Sequence, residues 1–300
     1  MYSKILIPLD GSPTSEKVLP FARILAHTLK LPVELLEVVD ISAATAHVAA
    51  DKARYLDTII AEGERASREH LAEVAADFAG VHVDCTVERA RPADAIIARA
   101  EADPGTLIAM ATHGRSGINR WMMGSVAEKV LRGTTTPLFL VRAAEETTSA
   151  RAVSIKSIVV PLDGSALAES VLPSIAEIAK TLDAEIVLCR AYELAASTYY
   201  GSEDYLPKYD EILRELKAEV EDYLQNKITE LKVYGVTKAS WVGLEGSGAD
   251  EIVRYANGHP DVLVAMCTHG RSGVTRWTLG SVTEKVVRHS NQPVLVLHGI

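Results

Sequence analysis

The segment THGRSGINRWMMGSVAEKVLR, residues 112–132, recurs almost letter for letter as THGRSGVTRWTLGSVTEKVVR, residues 268–288. This internal duplication constrains the fold more than any other feature of the chain. Gly114 recurs as Gly270, 156 positions on. Near the start of each half, KILIPLDGS matches KSIVVPLDGS, with Asp10 recurring as Asp163, 153 positions on. Near-equal offsets at both ends of a half describe two whole domains in tandem, because solenoid repeats have periods of only about 20–50 residues. A chain of 300 residues divides into two units that can each bury a core. We place the domains at 1–143 and 153–300, joined by a polar stretch that carries Glu145, Glu146, Thr147, Thr148 and Ser149.

Each half alternates strand and helix patterns. Residues 4–9 are apolar and stop at Asp10-Gly11-Ser12-Pro13, which predicts a strand, a turn, and a helix with proline near its first position. Val18, Phe21, Ala22, Leu25 and Leu29 keep a three-to-four spacing, and Pro32 ends that helix. Strands are predicted over 33–39, 81–87, 107–111 and 137–142. A long helix buries Leu71, Val74, Ala75 and Phe78, and a shorter one covers 93–102. The second half repeats the order, with strands over 157–161, 185–188, 239–242, 262–266 and 294–297. Its long helix presents Leu213, Leu216, Val220, Tyr223, Leu224, Ile228 and Leu231 on one face. The fourth strand lacks polar alternation, as a parallel strand covered on both faces should. Such alternation gives an α/β fold with parallel sheets and right-handed crossovers. The tyrosine-rich residues 193–210 are expected to form a mobile loop over the sheet edge. The apolar segments 138–141 and 294–297 are expected as edge strands that pair antiparallel with each other, an intramolecular pseudo-dimer.

The duplicated loop carries the chemistry. From Gly114, nine residues lead to Gly124-Ser125, and from Gly270, nine lead to Gly280-Ser281. Ser125 with Glu128, and Ser281 with Glu284, have capping-box spacing, so a helix is predicted to start at each serine. A strand, a glycine loop and a helix N-terminus form an anion site, because unpaired N–H groups and the helix dipole point at one place. Arg115, Arg120, Arg271 and Arg276 add cations nearby. The competing reading is that the glycines shape a tight connection and each serine is an ordinary cap. Asp10 and Asp163 end the first strand of each half, where open sheets place their ligands. Either aspartate could accept from an adenine amino group or a ribose hydroxyl, or could merely cap the following helix. His113 and His269 precede the loop glycines and could act as acid or base, or could orient the loop.

Several classes are disfavoured. There is no GxxxxGK[ST] run and no GxGxxG after the first strand. A net charge of −9 argues against a nucleic-acid binder. No apolar run approaches the roughly 20 residues that span a bilayer. The three cysteines, Cys85, Cys189 and Cys267, form no CxxC and are read as reduced thiols. A strand begins almost at Met1, so no secretory leader is expected and the protein is placed in the cytoplasm.

In these residues the chain closely resembles the universal stress protein family, in its tandem two-domain form, over nearly its full length. The ATP-binding members of that family carry G-2x-G-9x-G-[ST] after the fourth strand. Gly114, Gly124 and Ser125 match it in the first half, and Gly270, Gly280 and Ser281 in the second. The first glycine of the pattern is Ala111 in one half and Cys267 in the other. The resemblance implies two open five-stranded parallel sheets of order 3-2-1-4-5, the Rossmann-like fold of the adenine nucleotide alpha hydrolase type. It implies bound ATP, ADP or AMP with Mg²⁺, adenine contacts from Asp10 and Asp163, and backbone contacts from Val38 and Ala191. Around the phosphates it implies His113, Gly114, Arg115, Gly117, Gly124, Ser125 and Val126 beside Ala111. In the second half the corresponding residues are His269, Gly270, Arg271, Gly273, Gly280, Ser281 and Val282 beside Cys267. Family domains pair through the fifth strand, so a homodimer of the tandem chain is also possible. No residue is assigned a catalytic or independent metal-binding role. The function expected is an adenine-nucleotide-binding stress or signalling module, the alternatives being a slow ATPase or a nucleotide-free dimerising scaffold. The extra β-carbons at Ala111 and Cys267 predict unequal sites, the first the stronger.

Overall fold

A computed structural model describes residues 2–40, 56–112, 123–142, 153–194, 206–268 and 279–298. The chain forms two compact units, Met1–Ser154 and Ile155–Ile300. The strands of the first are β1 (Lys4–Leu9), β2 (Val33–Asp40), β3 (Val83–Ala90), β4 (Thr106–Ala111) and β5 (Leu138–Val141). Those of the second are β6 (Ser157–Pro161), β7 (Glu185–Tyr192), β8 (Ala239–Glu245), β9 (Val262–Cys267) and β10 (Val294–Leu297). Within the first unit the spatial order is β3-β2-β1-β4-β5, every pair parallel. Within the second it is β8-β7-β6-β9-β10, again parallel throughout. Both are the 3-2-1-4-5 order that the resemblance implies.

The apolar strands fold this way because both faces are covered. All six residues of β4 and all six of β9 are buried. Ile5, Leu6 and Ile7 of β1 are fully shielded, as are Ile158, Val159 and Val160 of β6. Each such aliphatic side chain contributes about 1.5–3 kcal/mol on burial. The long helix of each half, Leu56–Ala76 and Leu206–Val233, lies against the second and third strands of its own sheet. It buries Leu71 and Val74 in one half and Leu224 and Leu231 in the other. No helix among the described residues is long and apolar enough to cross a membrane.

Several boundaries differ from the sequence expectation. The first helix does not begin at Pro13: a 3-10 turn over Ser15–Val18 precedes the α-helix Leu19–Leu29. Pro20 explains the break, since it has no N–H to offer the carbonyl of Glu16. The second half repeats the device with a short helix Ala166–Glu169, then Leu172–Leu182 with Pro173 near its start. The third strand is displaced to Val83–Ala90, paired with β2 from Val33↔Val83 to Asp40↔Ala90. Backbone ladders do not need apolar side chains, and this edge strand continues through the charged Glu88 and Arg89 past its expected end. For the same reason β7 and β8 run on through Tyr192 and Glu245. Finally, residues 206–210, assigned to the tyrosine-rich loop, open the long helix of the second half instead. Residues 195–205 of that expected loop lie outside the described residues.

Candidate functional site

β1 is flanked by β2 on one side and β4 on the other, so the sheet reverses its winding between β1 and β4. A crevice opens at the carboxyl ends of strands at such a reversal. In the first half that crevice is a cleft of about 830 Å³. Asp10, Val38, Ala111, Gly124, Ser125 and Val126 all line it. The second half has a cleft of about 470 Å³, lined by Asp163, Ala191, Cys267, Gly280, Ser281 and Val282. Twelve sequence-predicted residues are thus gathered six to a cleft. The other eight, His113, Gly114, Arg115, Gly117, His269, Gly270, Arg271 and Gly273, lie outside the described residues, as do Arg120 and Arg276.

The aspartates brace the turns that follow their strands. Oδ1 of Asp10 accepts from the Ser12 N–H at 3.0 Å and the Ser12 hydroxyl at 2.6 Å. Oδ1 of Asp163 accepts from the Ser165 N–H at 2.9 Å and hydroxyl at 2.7 Å. Gly11 and Gly164 turn the chain with φ of 71° and 86°, values open to glycine at little cost. The helix-capping alternative is not what these aspartates do: the N-caps are Thr14 and Ser165, and each aspartate Oδ1 braces the turn before them while its side chain lines the cleft.

The ends of the duplicated loop are pinned. The Gly124 N–H donates to the Thr112 carbonyl at 2.8 Å, and the Thr112 N–H donates to Val141 at 2.9 Å. Gly280 and Thr268 repeat this at 2.7 and 2.9 Å, the latter to Leu297. The capping box is corrected here. The helices are Ser125–Gly133 and Ser281–His289, but their N-caps are Gly124 and Gly280 in extended conformation, with no side-chain cap bond. Glu128 is then one position too far along to close a box, and its N–H bonds the Gly124 carbonyl at 2.9 Å. The first intrahelical bond being that of Glu128, the N–H groups of Ser125, Val126 and Ala127 have no acceptor within the helix. The serine hydroxyl is not used up in capping. A helix start built from glycine and serine at the cleft wall fits an anionic group.

Sequence reasoning missed the cleft wall supplied by the long helices. Gly63, Ala66, Ser67 and His70 line the first cleft, and Leu216, Glu219 and Val220 stand at the first three of these positions in the second. Bulkier side chains there agree with the smaller second cleft. Beside this wall in the first half sits a polar cluster. His70 Nδ1 meets Glu37, whose side chain is 6% exposed, and Nε2 lies 3.2 Å from Glu16. Burial lowers the His70 pKa, but the bonds and charges of Glu37 and Glu16 outweigh it and hold the imidazole above its ordinary value. In the second half Tyr223 occupies the His70 position, and its hydroxyl donates to Glu169 at 2.7 Å. Lys227 Nζ donates to the same carboxylate at 2.7 Å, and the Arg190 guanidinium lies 4.7 Å from the Tyr223 ring centre. Burial and the Glu169 carboxylate push the phenol of Tyr223 well up. One further asymmetry concerns the fourth-strand ends: the Thr283 hydroxyl donates to the Cys267 carbonyl at 2.8 Å, where the first half has Ala127. Only the 153-residue register exposes these pairs, since Glu16, Glu37 and His70 are far apart in sequence.

The universal stress protein family model matches residues 1–142 and again 154–298. The universal stress protein MJ0531 of Methanocaldococcus jannaschii is 29% identical over 142 residues, covering 47% of this chain and 83% of that protein. The universal stress protein YxiE of Bacillus subtilis is 31% identical over 150 residues, 47% of this chain and 100% of that protein. The crystal structure of a universal stress protein from Archaeoglobus fulgidus aligns over 99% of both chains, with a TM-score of 0.68 and 21% identity. That likeness bears on the fold.

Proposed function

The chain belongs to the universal stress protein family in tandem form, and on that premise we propose that each half holds one adenine nucleotide. The protein then acts as a nucleotide-responsive stress or signalling module. One observation carries this reading: in each half a single cleft is lined by the first-strand aspartate, the end of the second strand and a glycine-capped helix start. Asp10 and Asp163 sit where a carboxylate accepts from an adenine amino group or a ribose hydroxyl. The backbone at Val38 and Ala191 faces the base. N–H groups at Ser125 and Val126, and at Ser281 and Val282, serve the phosphates, with the serine hydroxyls beside them. His113, Gly114, Arg115 and Gly117 complete the first site, and His269, Gly270, Arg271 and Gly273 the second. Mg²⁺ accompanies the triphosphate, because it binds phosphate oxygens with few protein ligands.

Gly124→Val and Gly280→Val test the assignment. Gly124 has φ −62° and ψ 145°, and Gly280 φ −60° and ψ 141°, a conformation that any residue adopts, so the fold should survive. Calorimetric titration with ATP should lose one site in each single variant and both in the double variant. Unchanged affinity and stoichiometry in the double variant would remove the helix start from the site. Phosphate release under excess ATP separates a binding module from a slow hydrolase: the module leaves ATP intact over the titration.

A further inference from the structure

The charge lining of the two clefts is matched in number and differs in kind. Among the described residues, the first cleft is lined by the carboxylates Asp10, Glu37 and Asp40 and by one basic side chain, His70. The second is lined by Asp163, Glu193 and Glu219 and by one basic side chain, Arg190. Arginine keeps its charge at every pH a protein meets, whereas histidine changes charge near neutrality.

The contacts of His70 require its cation. Glu37 from β2 meets Nδ1, and Glu16 from the 3-10 turn meets Nε2. A neutral imidazole has one N–H and so can donate to only one of these carboxylates, leaving its bare nitrogen against the lone pairs of the other. The imidazolium donates to both. Asp10 and Asp40, from the ends of β1 and β2, line the same cleft, while the neighbouring helix positions Gly63, Ala66 and Ser67 are uncharged. In the second half, Arg190 stands at the position of Glu37, Tyr223 at that of His70 and Glu169 at that of Glu16. There the tyrosine hydroxyl donates its one hydrogen bond to the Glu169 carboxylate, and the positive charge of Arg190 over its ring is permanent.

We propose that the two clefts have diverged in how they accept negative charge: the first binds its anionic ligand together with a proton on His70, and the second needs none because Arg190 is always charged. This rests on the nucleotide reading above and adds to it a proton-coupled site beside a proton-independent one. Loss of the His70 charge takes one positive charge from a cleft wall that also carries Asp10, Glu37 and Asp40, and an approaching phosphate is held less strongly. Across a cleft of this size, one charge in a partly solvated setting changes anion affinity by roughly tenfold.

The test uses two full-length chains, Gly280→Val to isolate the first cleft and Gly124→Val to isolate the second, each titrated with ATP at about pH 6 and about pH 9. Ionisation of ATP is common to both chains and cancels in the comparison. First-cleft affinity should fall roughly tenfold more than second-cleft affinity over that range. Titrations in buffers of different ionisation enthalpy should show additional proton uptake on binding to the first cleft alone. His70→Lys, a permanent cation, should remove the excess slope. If that variant does not fold, the two parent chains still decide the matter. Parallel pH profiles for the two clefts would overturn the proposal while leaving the nucleotide reading intact. Absence of ATP binding to either chain at either pH would overturn both.

Discussion

Replacing Gly63 by alanine should stabilise the first half, and replacing it by leucine should close the first cleft. Gly63 lies inside the helix Leu56–Ala76, where glycine costs about 0.5–1 kcal/mol relative to alanine. A β-carbon at this position would come 3.7 and 4.0 Å from the two γ-carbons of Val39, ordinary van der Waals distances, so alanine meets no clash. The full propensity gain of about 0.5–1 kcal/mol should therefore appear. With a urea slope of about 2 kcal/mol/M, that is an upward midpoint shift of about 0.3–0.5 M at unchanged slope. Gly63 also lines the first cleft, and the second half has Leu216 at the same place. Gly63→Leu should then cost at least roughly tenfold in ATP affinity at the first site, comparable to the loss of a well-oriented contact. Urea unfolding of the alanine variant and ATP calorimetry of the leucine variant, in the Gly280→Val background, read the two effects separately. A lower midpoint for Gly63→Ala would refute the packing argument. Unchanged ATP affinity for Gly63→Leu would refute the role of the helix wall.

Three further outcomes follow from particular groups. The raised pKa of His70 makes its protonated contribution to stability complete below the ordinary value of about 6.5 and lost as pH rises through the folded value. His70→Gln should flatten that decline in a urea-midpoint series, and an identical decline in the variant would place its cause elsewhere. Among the thiols, Cys189 is buried with its pKa pushed up to about 12, and Cys267 is also buried, while Cys85 is exposed. A thiol reagent should therefore modify Cys85 alone in the native protein and all three cysteines in denaturant, and native labelling of Cys189 would contradict the burial. Cys267→Gly should raise ATP affinity at the second site more than Ala111→Gly does at the first, since it removes the larger group from a cleft wall. Calorimetry in the single-site backgrounds checks the order, and equal effects would show that the bulk of the sulfur does not reach the ligand.

Duplication made the fold legible, because each strand could be read twice and a feature present in both halves was not an accident of local composition. The strand order followed from the resemblance, and the cores followed from apolar strands such as β4 and β9. Boundaries were harder where charge and backbone pairing part company. The ladder of β3 continues through Glu88 and Arg89, side chains that a periodicity argument treats as a stop. Pro13 looked like a helix start, but Pro20 decides where the α-helix begins, since only there does the missing N–H interrupt an i to i−4 bond. The serine–glutamate spacing imitated a capping box because Gly124 takes the cap position one residue earlier. At the clefts, the aspartates, glycines and serines announced themselves through the repeated motif. The cluster of Glu16, Glu37 and His70 did not, because its contacts span separations of 33 and 54 residues and depend on how the long helix seats on β2.

The central claim, that both halves are nucleotide sites, is tested most directly by titrating the unmodified chain with ATP in a calorimeter. The account predicts saturable binding with a stoichiometry of two per chain and two distinguishable affinities, reducing to one in either Gly124→Val or Gly280→Val. An absence of saturable heat at any ATP concentration up to the millimolar range would contradict it.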